Sequence, residues 1–200
     1  MSLKPDPLVS VLMPVFNAEH FIARSLNSLI TQSYQNIEII VIDDGSTDRT
    51  YSLLESIKST DSRIKLFRQS NQGLTKSLNT AASYASGELF ARQDADDVSL
   101  PDRILLQVNE FRSKSIDFCC SRTYFYPRSK PSPHLRFYFP RGFSLLFENV
   151  FIHGTFMVTR QVFYNLNGYS EEFQFAQDYD LWWRLSVEGM IEILPQVLST

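Results

Sequence analysis

The 200-residue sequence contains only two cysteines, Cys119 and Cys120, and they are adjacent. Neighbouring residues of a strand point to opposite faces, so such a pair rarely forms a disulfide. No Cys and His spacing typical of a zinc site is present, and no nucleophile motif such as G-x-S-x-G. The sequence therefore predicts buried thiols outside any disulfide, which suits a reducing compartment.

Long apolar runs and a strong net charge are also missing. No run of 18 apolar residues occurs, so no membrane span is predicted, and neither end resembles a signal peptide. The formal net charge is −3, which gives no global attraction to nucleic acid or to an anionic membrane. We expect a cytoplasmic protein; peripheral association with the inner face of the membrane is compatible with these features.

The first half of the chain alternates between strand-like and helix-like segments. Apolar runs typical of buried strands cover 8–16, 37–45, 63–69 and 87–94, and helical periodicity covers 18–32, 46–59 and 73–85. Alternation with short loops predicts parallel strands joined by right-handed crossovers. The predicted fold class is α/β.

The second half lacks this regular alternation of strands and helices. Helices are predicted at 101–114, 143–150, 160–169 and 177–189, and strands at 116–126, 154–159 and 191–200. The proline-rich, basic segment 127–142 is either a solvated loop or a lid that closes over a nucleotide or guides an anionic or lipid-linked acceptor. No repeat or clear linker interrupts the chain, so we predict one domain over 1–200. A natural protein that continues beyond Thr200 would add acceptor groups.

Polar residues follow each predicted parallel strand of the first half. In an open parallel sheet ligands bind at the carboxyl ends of the strands, which share one edge. The groups expected at this edge are Pro14 to Asn17, Asp43 and Asp44, Arg68 and Gln69, and Asp94 to Asp97.

Asp94 and Asp96 are two residues apart, so in extended chain both side chains point to one face. Carboxylate oxygens suit a hard cation such as Mg²⁺ or Mn²⁺, and two acids leave coordination positions for substrate phosphates. We therefore expect a divalent metal that bridges to a diphosphate. The alternative is a solvated acidic turn in which Asp97 or Ser99 caps the next helix.

The turn after the second strand, IDDGSTD, carries Asp43 and Asp44. It lacks both the P-loop and the G-x-G-x-x-G pattern of phosphate-binding turns. Ser46 or Thr47 explains the start of a helix, and Asp48 complements its dipole. The helix start does not explain Asp43 and Asp44, and we expect this pair to recognise a nucleobase.

Four segments in order carry a family resemblance: VSVLMPVFNAEHFIARSLNSLITQSYQNIEIIVIDDGSTDRT, NQGLTKSLNTAASYASGELFARQDADDVSLPDR, HGTFMVTRQVF with NLNGY, and QDYDLWWRL. The chain resembles an inverting family 2 glycosyltransferase of the GT-A fold. The resemblance implies a mostly parallel, Rossmann-like nucleotide-binding sheet over about 8–100 and a smaller acceptor-side region over about 101–200.

The resemblance also implies roles for individual residues. Pro14, Phe16 and Asn17 would border the nucleotide, Asp44 would accept from the base, Asp94 would lie near the ribose, and Asp96 would bind the metal. Asp178 matches the catalytic base, and His153 and Gln177 fall on the acceptor side. Trp182 and Trp183 are adjacent on a predicted helix and face different ways, so one is expected in the core and the other against a sugar; we assign Trp182 to the acceptor side. Gln177 departs from the family, where an acid often precedes the base, so we expect the neighbouring acceptor contact to differ.

The implied activity is transfer of a sugar from a nucleoside diphosphate donor, by resemblance a UDP-sugar, to a hydroxyl of a saccharide or lipid-linked acceptor. The implied setting is cell-surface polysaccharide or lipopolysaccharide assembly. A non-catalytic relative that binds sugar nucleotides is the alternative. A phosphoacceptor receiver domain is a third interpretation, but it gives no role to the segments HGTF and QDYDLWWRL. Nucleotidyl transfer on a related fold is a fourth, and its substrates would be a sugar phosphate and a nucleoside triphosphate.

Overall fold

The computed structural model describes residues 6–124, 132, 151–173, 176–188 and 191–200. Seven strands form one sheet in the order β3-β2-β1-β4-β6-β5-β7. The strands are β1 (Val9–Val15), β2 (Ile37–Asp43), β3 (Ile64–Arg68), β4 (Leu89–Arg92), β5 (Phe118–Thr123), β6 (Met157–Thr159) and β7 (Ile191–Ser199). The helices are α1 (Ile22–Ile30), α2 (Thr50–Lys58), α3 (Leu74–Tyr84), α4 (Arg103–Ser113), α5 (Arg160–Asn165) and α6 (Gln177–Glu188).

The predicted parallel half of the sheet is confirmed. β1 pairs with β2 and β4, and β2 pairs with β3, all in parallel. The carboxyl ends of these four strands therefore lie along one edge, as expected for crossovers through helices. The polar residues that follow the strands share this edge.

Strand β6 is the exception, because it runs antiparallel to both β4 and β5. Its first residues therefore meet the end of β4, and the Arg92 amide donates to the Phe156 carbonyl at 3.0 Å. The turn before β6, a 3₁₀ turn at His153–Thr155, is thus brought to the carboxyl edge. The sheet closes with β5 and β7, which pair in parallel.

Helices cover both faces of the sheet, which confirms the α/β class. Alternate residues of β2 belong to different cores: Ile39 and Val41 face one side, and Ile40 and Ile42 the other. Residues of α1, α2 and α4 complete the first core, and residues of α3, α5 and α6 complete the second. The cysteines divide in the same way, because buried Cys119 belongs to the first core and buried Cys120 to the second.

The expected start of the second helix at Ser46 is wrong. Helix α2 begins at Thr50, whose amide donates to Asp48 Oδ1 at 2.9 Å, and the residues before it also bind the loop after β1. The Ser46 hydroxyl accepts from the Asn17 amide at 3.0 Å, and Asp48 Oδ2 accepts from the Glu19 amide at 3.2 Å. Ser46 and Asp48, residue types that often cap helices, thus also join two loops, a contact that only the tertiary structure reveals.

Part of the second half falls outside the described residues. This applies to the predicted helix 143–150 and to 127–142 apart from Ser132, which bridges to Thr123. Within the described ranges, no helix is long and apolar enough to cross a bilayer.

Candidate active site

Strand β1 delivers an exposed aromatic ring to the carboxyl edge of the sheet. Pro14 pairs with Ile42 and lies two residues beyond the last pair between β1 and β4, where a missing amide breaks no bond to β4. Phe16 follows with half of its surface exposed (50%). An aromatic residue left this accessible at a strand end offers a flat apolar face to a ligand.

Asn17 fixes the loop that carries this ring. Its φ of 48° lies in the left-handed region, which asparagine tolerates better than most residues. The Asn17 amide donates to Ser46 Oγ, and its side-chain Oδ1 accepts from the Thr47 amide at 2.9 Å. The loops after β1 and β2 are therefore tied together beside Phe16.

Asp44 is a buried carboxylate that organises the loop after β3. Its Oδ1 accepts from Gln69 Nε2 at 2.7 Å and from the Gln72 amide at 2.9 Å, and its Oδ2 accepts from the Gly73 amide at 2.8 Å. A carboxylate has about four lone-pair sites, so about one stays available on Oδ2. Asp44 can accept one further donor without breaking these bonds.

Asp43 is separated from Asp44, although the sequence presents them as a pair. It is fully buried on the opposite face of the sheet, and Arg68 Nε lies 3.1 Å from its Oδ2. The Arg68 guanidinium also lies over the Tyr51 ring, 4.3 Å from the ring centroid. Asp43 thus forms an ion pair beneath the edge, and only Asp44 is directed toward the loop at 69–73.

The acidic loop, residues 94–97, follows β4. Asp94 Oδ1 accepts from Arg92 Nε at 2.6 Å, while Asp96 is exposed. A Cβ added to Gly154 would lie 2.1 Å from Asp97 Oδ2 and 3.6 Å from Asp94 Oδ2. Asp94 and Asp97 therefore converge above Gly154, where a larger residue would meet the Asp97 carboxylate.

The charges of this loop are incompletely compensated. Burial, together with the charges of Asp94 and Asp96, raises the pKa of Asp97 to about 7. Arg92 and Arg103 oppose this shift only partly. The oxygen donors and the excess negative charge fit a hard divalent cation. Among the described residues no three acids, histidines or cysteines form a complete ligand set, so such a cation would need ligands from elsewhere.

A buried polar network holds the acidic loop from below, and it includes residues that the sequence did not single out. Gln93 Nε2 donates to the Asp97 carbonyl at 2.7 Å, and Gln93 Oε1 accepts from Arg103 Nη1 at 2.9 Å. Arg103 Nη2 donates to the Arg92 carbonyl at 2.6 Å. Burial lowers the pKa of Arg103 to about 10, so it stays charged at neutral pH. Arg92 in ARQDADD and Arg103 in LPDR, basic residues close to the acids, are the sequence features that could have indicated this network.

His153 lies behind the acidic loop, within a cluster of aromatic and charged side chains. Its ring contacts the Arg92 guanidinium, and its Nε2 is 2.9 Å from Tyr169 Oη. Burial and then the charge of Arg92 lower the pKa of His153 well below its ordinary value, so the imidazole is neutral. The ring also packs edge-on against Trp182 at 5.4 Å. His153 therefore forms part of a wall in this structure.

The acid predicted to be the base, Asp178, lies in the first turn of α6, next to Gln177, and both are partly buried. Burial raises the pKa of Tyr169, Arg92 opposes the shift, and the charges of Asp94 and Asp178 add to it. Tyr169 is thus within electrostatic reach of both acids. Asp180 pairs with Arg184 along the helix at 2.5 Å.

The assignment of Trp182 to an acceptor contact is corrected by the structure. Trp182 is fully buried and packs against Phe118, Phe151 and Phe156. Trp183 is instead the exposed member of the pair, with 46% of its surface accessible. The two residues are adjacent on a helix, so their side chains point about 100° apart, and sequence alone does not select the inner one.

Two structures with known ligands share this fold. The chain superposes on S. aureus TarS, solved in complex with UDP, with a TM-score of 0.81 and 21% identity over 96% of this chain and 59% of that one. It superposes on the mannosyltransferase PcManGT from Pyrobaculum calidifontis, solved with GDP-Man and Mn²⁺, with a TM-score of 0.76 and 20% identity over 98% and 58%. At these identities the likeness establishes the fold.

Curated relatives extend the likeness to sequence. An uncharacterized glycosyltransferase of Haemophilus influenzae is 33% identical over 209 residues, covering 96% of this chain and 64% of that protein. The Escherichia coli UDP-Glc:alpha-D-GlcNAc-diphosphoundecaprenol beta-1,3-glucosyltransferase WfgD is 40% identical over 115 residues, covering 56% and 44%. The chain thus spans less than two thirds of either relative. The model of glycosyl transferase family 2 matches residues 10–166, and the chain therefore belongs to that family.

Proposed function

We propose that this protein is an inverting glycosyltransferase that moves a sugar from a nucleoside diphosphate donor to a hydroxyl acceptor. The observation that carries the proposal is the meeting of three groups at one edge of the sheet. These are the exposed ring of Phe16 and the carboxylate of Asp44, which follow the paired strands β1 and β2, the undercompensated acidic loop, and Asp178, whose charge acts on Tyr169 as that of Asp94 does. They correspond to a base site, a diphosphate site and a proton acceptor.

The donor's nucleobase is proposed to bind between Phe16 and Asp44, bordered by Pro14 and Asn17. Phe16 offers a stacking face, and Asp44 Oδ2 can accept one more N–H donor. One N–H between flanking carbonyls, as in uracil, matches that single vacancy. The name of WfgD, which includes UDP-Glc, and the UDP complex of TarS support uridine, whereas PcManGT binds GDP-Man. A UDP-sugar is therefore our proposed donor.

A divalent cation, Mn²⁺ or Mg²⁺, is proposed to be held by Asp96, next to Asp94 near the ribose. When bound, such a cation neutralises charge that develops on the departing diphosphate. Asp94 is already oriented by Arg92, and exposed Asp96 is free to turn toward a ligand. The Mn²⁺ in the PcManGT complex supports this assignment.

Asp178 is proposed to be the general base. The acceptor hydroxyl oxygen forms a bond to the anomeric carbon while its proton passes to the Asp178 carboxylate. The bond from that carbon to the diphosphate breaks on the opposite face, and its electron pair leaves with the nucleoside diphosphate. Attack opposite the leaving group inverts the anomeric configuration.

The acceptor is proposed to be a saccharide or lipid-linked sugar of cell-surface polysaccharide assembly. Gln177 lies beside the base, and His153 forms a wall with Tyr169, on which the charge of Asp178 acts. The diphosphoundecaprenol acceptor in the name of WfgD supports a lipid-linked class. Gln177 offers an amide where the family often has an acid, which favours a neutral contact to an acceptor hydroxyl.

Calorimetry with UDP, GDP, ADP and CDP, with and without Mn²⁺, tests donor recognition. We expect UDP to bind best, to require Mn²⁺, and to lose at least about 10-fold affinity in Asp96→Ala. The matched control is Asp102→Ala, because Asp102 is exposed and makes no capping hydrogen bond in the adjacent turn. Equal binding of all four nucleotides, or binding without metal, would contradict the proposal.

Turnover separates an enzyme from a non-catalytic relative. Release of UDP from UDP-sugars is measured with water and with lipid-linked sugars as acceptors. Asp178→Asn should lower kcat by at least about 10³-fold while UDP affinity changes less than about twofold, because the base acts only in the chemical step. Binding without any turnover by the wild-type protein would favour the non-catalytic alternative.

A further inference from the structure

Arg92 is a buried charge, and the proposed reaction uses only its contact with Asp94. It ends β4 on the same face as Phe90, and only 4% of its surface is exposed. Burying a guanidinium is costly unless several groups compensate it. Its backbone is also held on both sides, by the Phe156 carbonyl and by Arg103 Nη2. The position of Arg92 is therefore fixed by both its side chain and its backbone.

Its side chain meets partners from two distant parts of the sequence. Arg92 Nε donates to Asp94 Oδ1 at 2.6 Å, so the acid on the donor side has one oxygen occupied and Oδ2 left over. The opposite side of the guanidinium contacts His153, whose ring hydrogen bonds with Tyr169 at 2.9 Å. A simple ion pair with Asp94 would need only the first contact.

Tyr169 extends this chain of contacts toward α6. Its hydroxyl is within electrostatic reach of Arg92, Asp94 and Asp178, and its backbone is fixed to Asn79 of α3 by two hydrogen bonds, at 2.9 and 3.1 Å. Arg92 is thus the group that touches the donor side directly and the wall beside Asp178 through His153 and Tyr169.

We propose that Arg92 is a positioning residue that couples the orientation of Asp94 to the His153 and Tyr169 wall of the acceptor side. This inference rests on the proposed function. In this arrangement the fork of the guanidinium presents Asp94 Oδ2 toward the donor. Loss of the Tyr169 hydroxyl loosens Arg92 and is felt at the nucleotide, although Tyr169 is assigned no contact with the nucleotide.

The test is a double-mutant cycle read out as the affinity for UDP with Mn²⁺, measured by calorimetry on the full chain. Arg92→Lys keeps the charge but removes the fork, and we expect about 10-fold weaker binding. Tyr169→Phe should cost several-fold in the wild-type background and less than about twofold in the Arg92→Lys background. Thermal unfolding of each variant identifies any that fails to fold, and Tyr169→Phe is the mildest change.

Arg63→Lys is the matched control. Arg63 is another partly buried arginine, which pairs with Asp61 and donates to the Ile30 carbonyl before β3 begins, at the opposite end of that strand from the carboxyl edge. Its replacement should leave UDP affinity unchanged. Equal losses in both lysine variants, or additive effects of Arg92 and Tyr169, would overturn the assignment while wild-type binding persists. Wild-type protein that binds no nucleotide with Mn²⁺ would overturn the proposed function, and the assignment with it.

Discussion

Replacement of Asp97 by asparagine removes one charge from the most crowded part of the acidic loop. The side chain lies against Gly154, and no hydrogen bond to its carboxylate is found in the described part of the chain. Asparagine has nearly the same shape, so the change isolates the charge. Because the carboxylate is held where its neighbours repel it, we expect the variant to be more stable than the wild type.

The magnitude follows from the pKa of Asp97, which burial and then the charges of Asp94 and Asp96 raise from 3.8 to about 7. Each unit corresponds to about 1.4 kcal/mol, so the ionised carboxylate costs up to about 4 kcal/mol. Salt screening and local relaxation reduce this, and we expect a gain of about 2 kcal/mol. In a chain of this size that corresponds to about 4–8 °C in Tm.

The stability gained by Asp97→Asn depends on pH. Below about pH 4 both the folded and the unfolded forms hold the proton, so the charge costs nothing. Between about pH 4 and 7 the folded form retains a proton that the unfolded form has lost, so the stability of the wild type falls as pH rises. Above about pH 7 the full cost is present. The gain from Asp97→Asn should therefore be more than twice as large at about pH 8 as at about pH 5.

Urea unfolding at the two pH values, with a chelator present, measures this gain. Asp102→Asn is the control, since Asp102 is exposed and its replacement should change stability by less than about 0.5 kcal/mol. A gain that is the same at both pH values, or a loss at about pH 8, would refute the reasoning. Such a result would mean that the Asp97 carboxylate is not held against uncompensated negative charge.

Two further predictions concern packing around the site. Gly154→Ala places a methyl group 2.1 Å from Asp97 Oδ2. Because the obstacle is the tip of a side chain, we expect Tm to change by a few degrees and the affinity for UDP with Mn²⁺ to fall about 10-fold. An undiminished affinity, or the same loss in an Asp97→Ala background, would contradict this. Trp182→Ala should cost about 3–5 kcal/mol in urea unfolding because the residue is fully buried, whereas exposed Trp183→Ala should cost less than about 0.5 kcal/mol, and comparable losses would exclude the assigned packing.

Local periodicity was enough to predict much of the fold. The alternation of apolar runs and helical segments predicted β1 to β4 with α1 to α3 between them, because a strand buried on both faces needs an apolar residue at almost every position. The shared carboxyl edge followed from parallel pairing. The antiparallel direction of β6 did not, since a three-residue strand carries no signal of its orientation.

The site was predictable only where residue type alone indicates the chemistry. The acids of the acidic loop were visible in the sequence, but the burial of Asp97 against Gly154 depends on two segments more than fifty residues apart. The same holds for Arg92, whose contacts come from the acidic loop, the turn before β6 and Tyr169. Asp43 and Asp44 look equivalent in sequence, yet the alternation of a strand sends them to opposite faces.

The reversed direction of β6 has a consequence for how such proteins diversify. Residues that would recognise the nucleotide come from loops after β1, β2 and β4, whereas those facing the other substrate come from a later stretch that re-enters at the same rim. On the proposed function, the two specificities would be encoded in separate stretches of the sequence that meet through Arg92, His153 and Tyr169. A change of the later stretch that keeps His153 and Tyr169 could then exchange the recipient of the sugar while the earlier stretch is inherited intact.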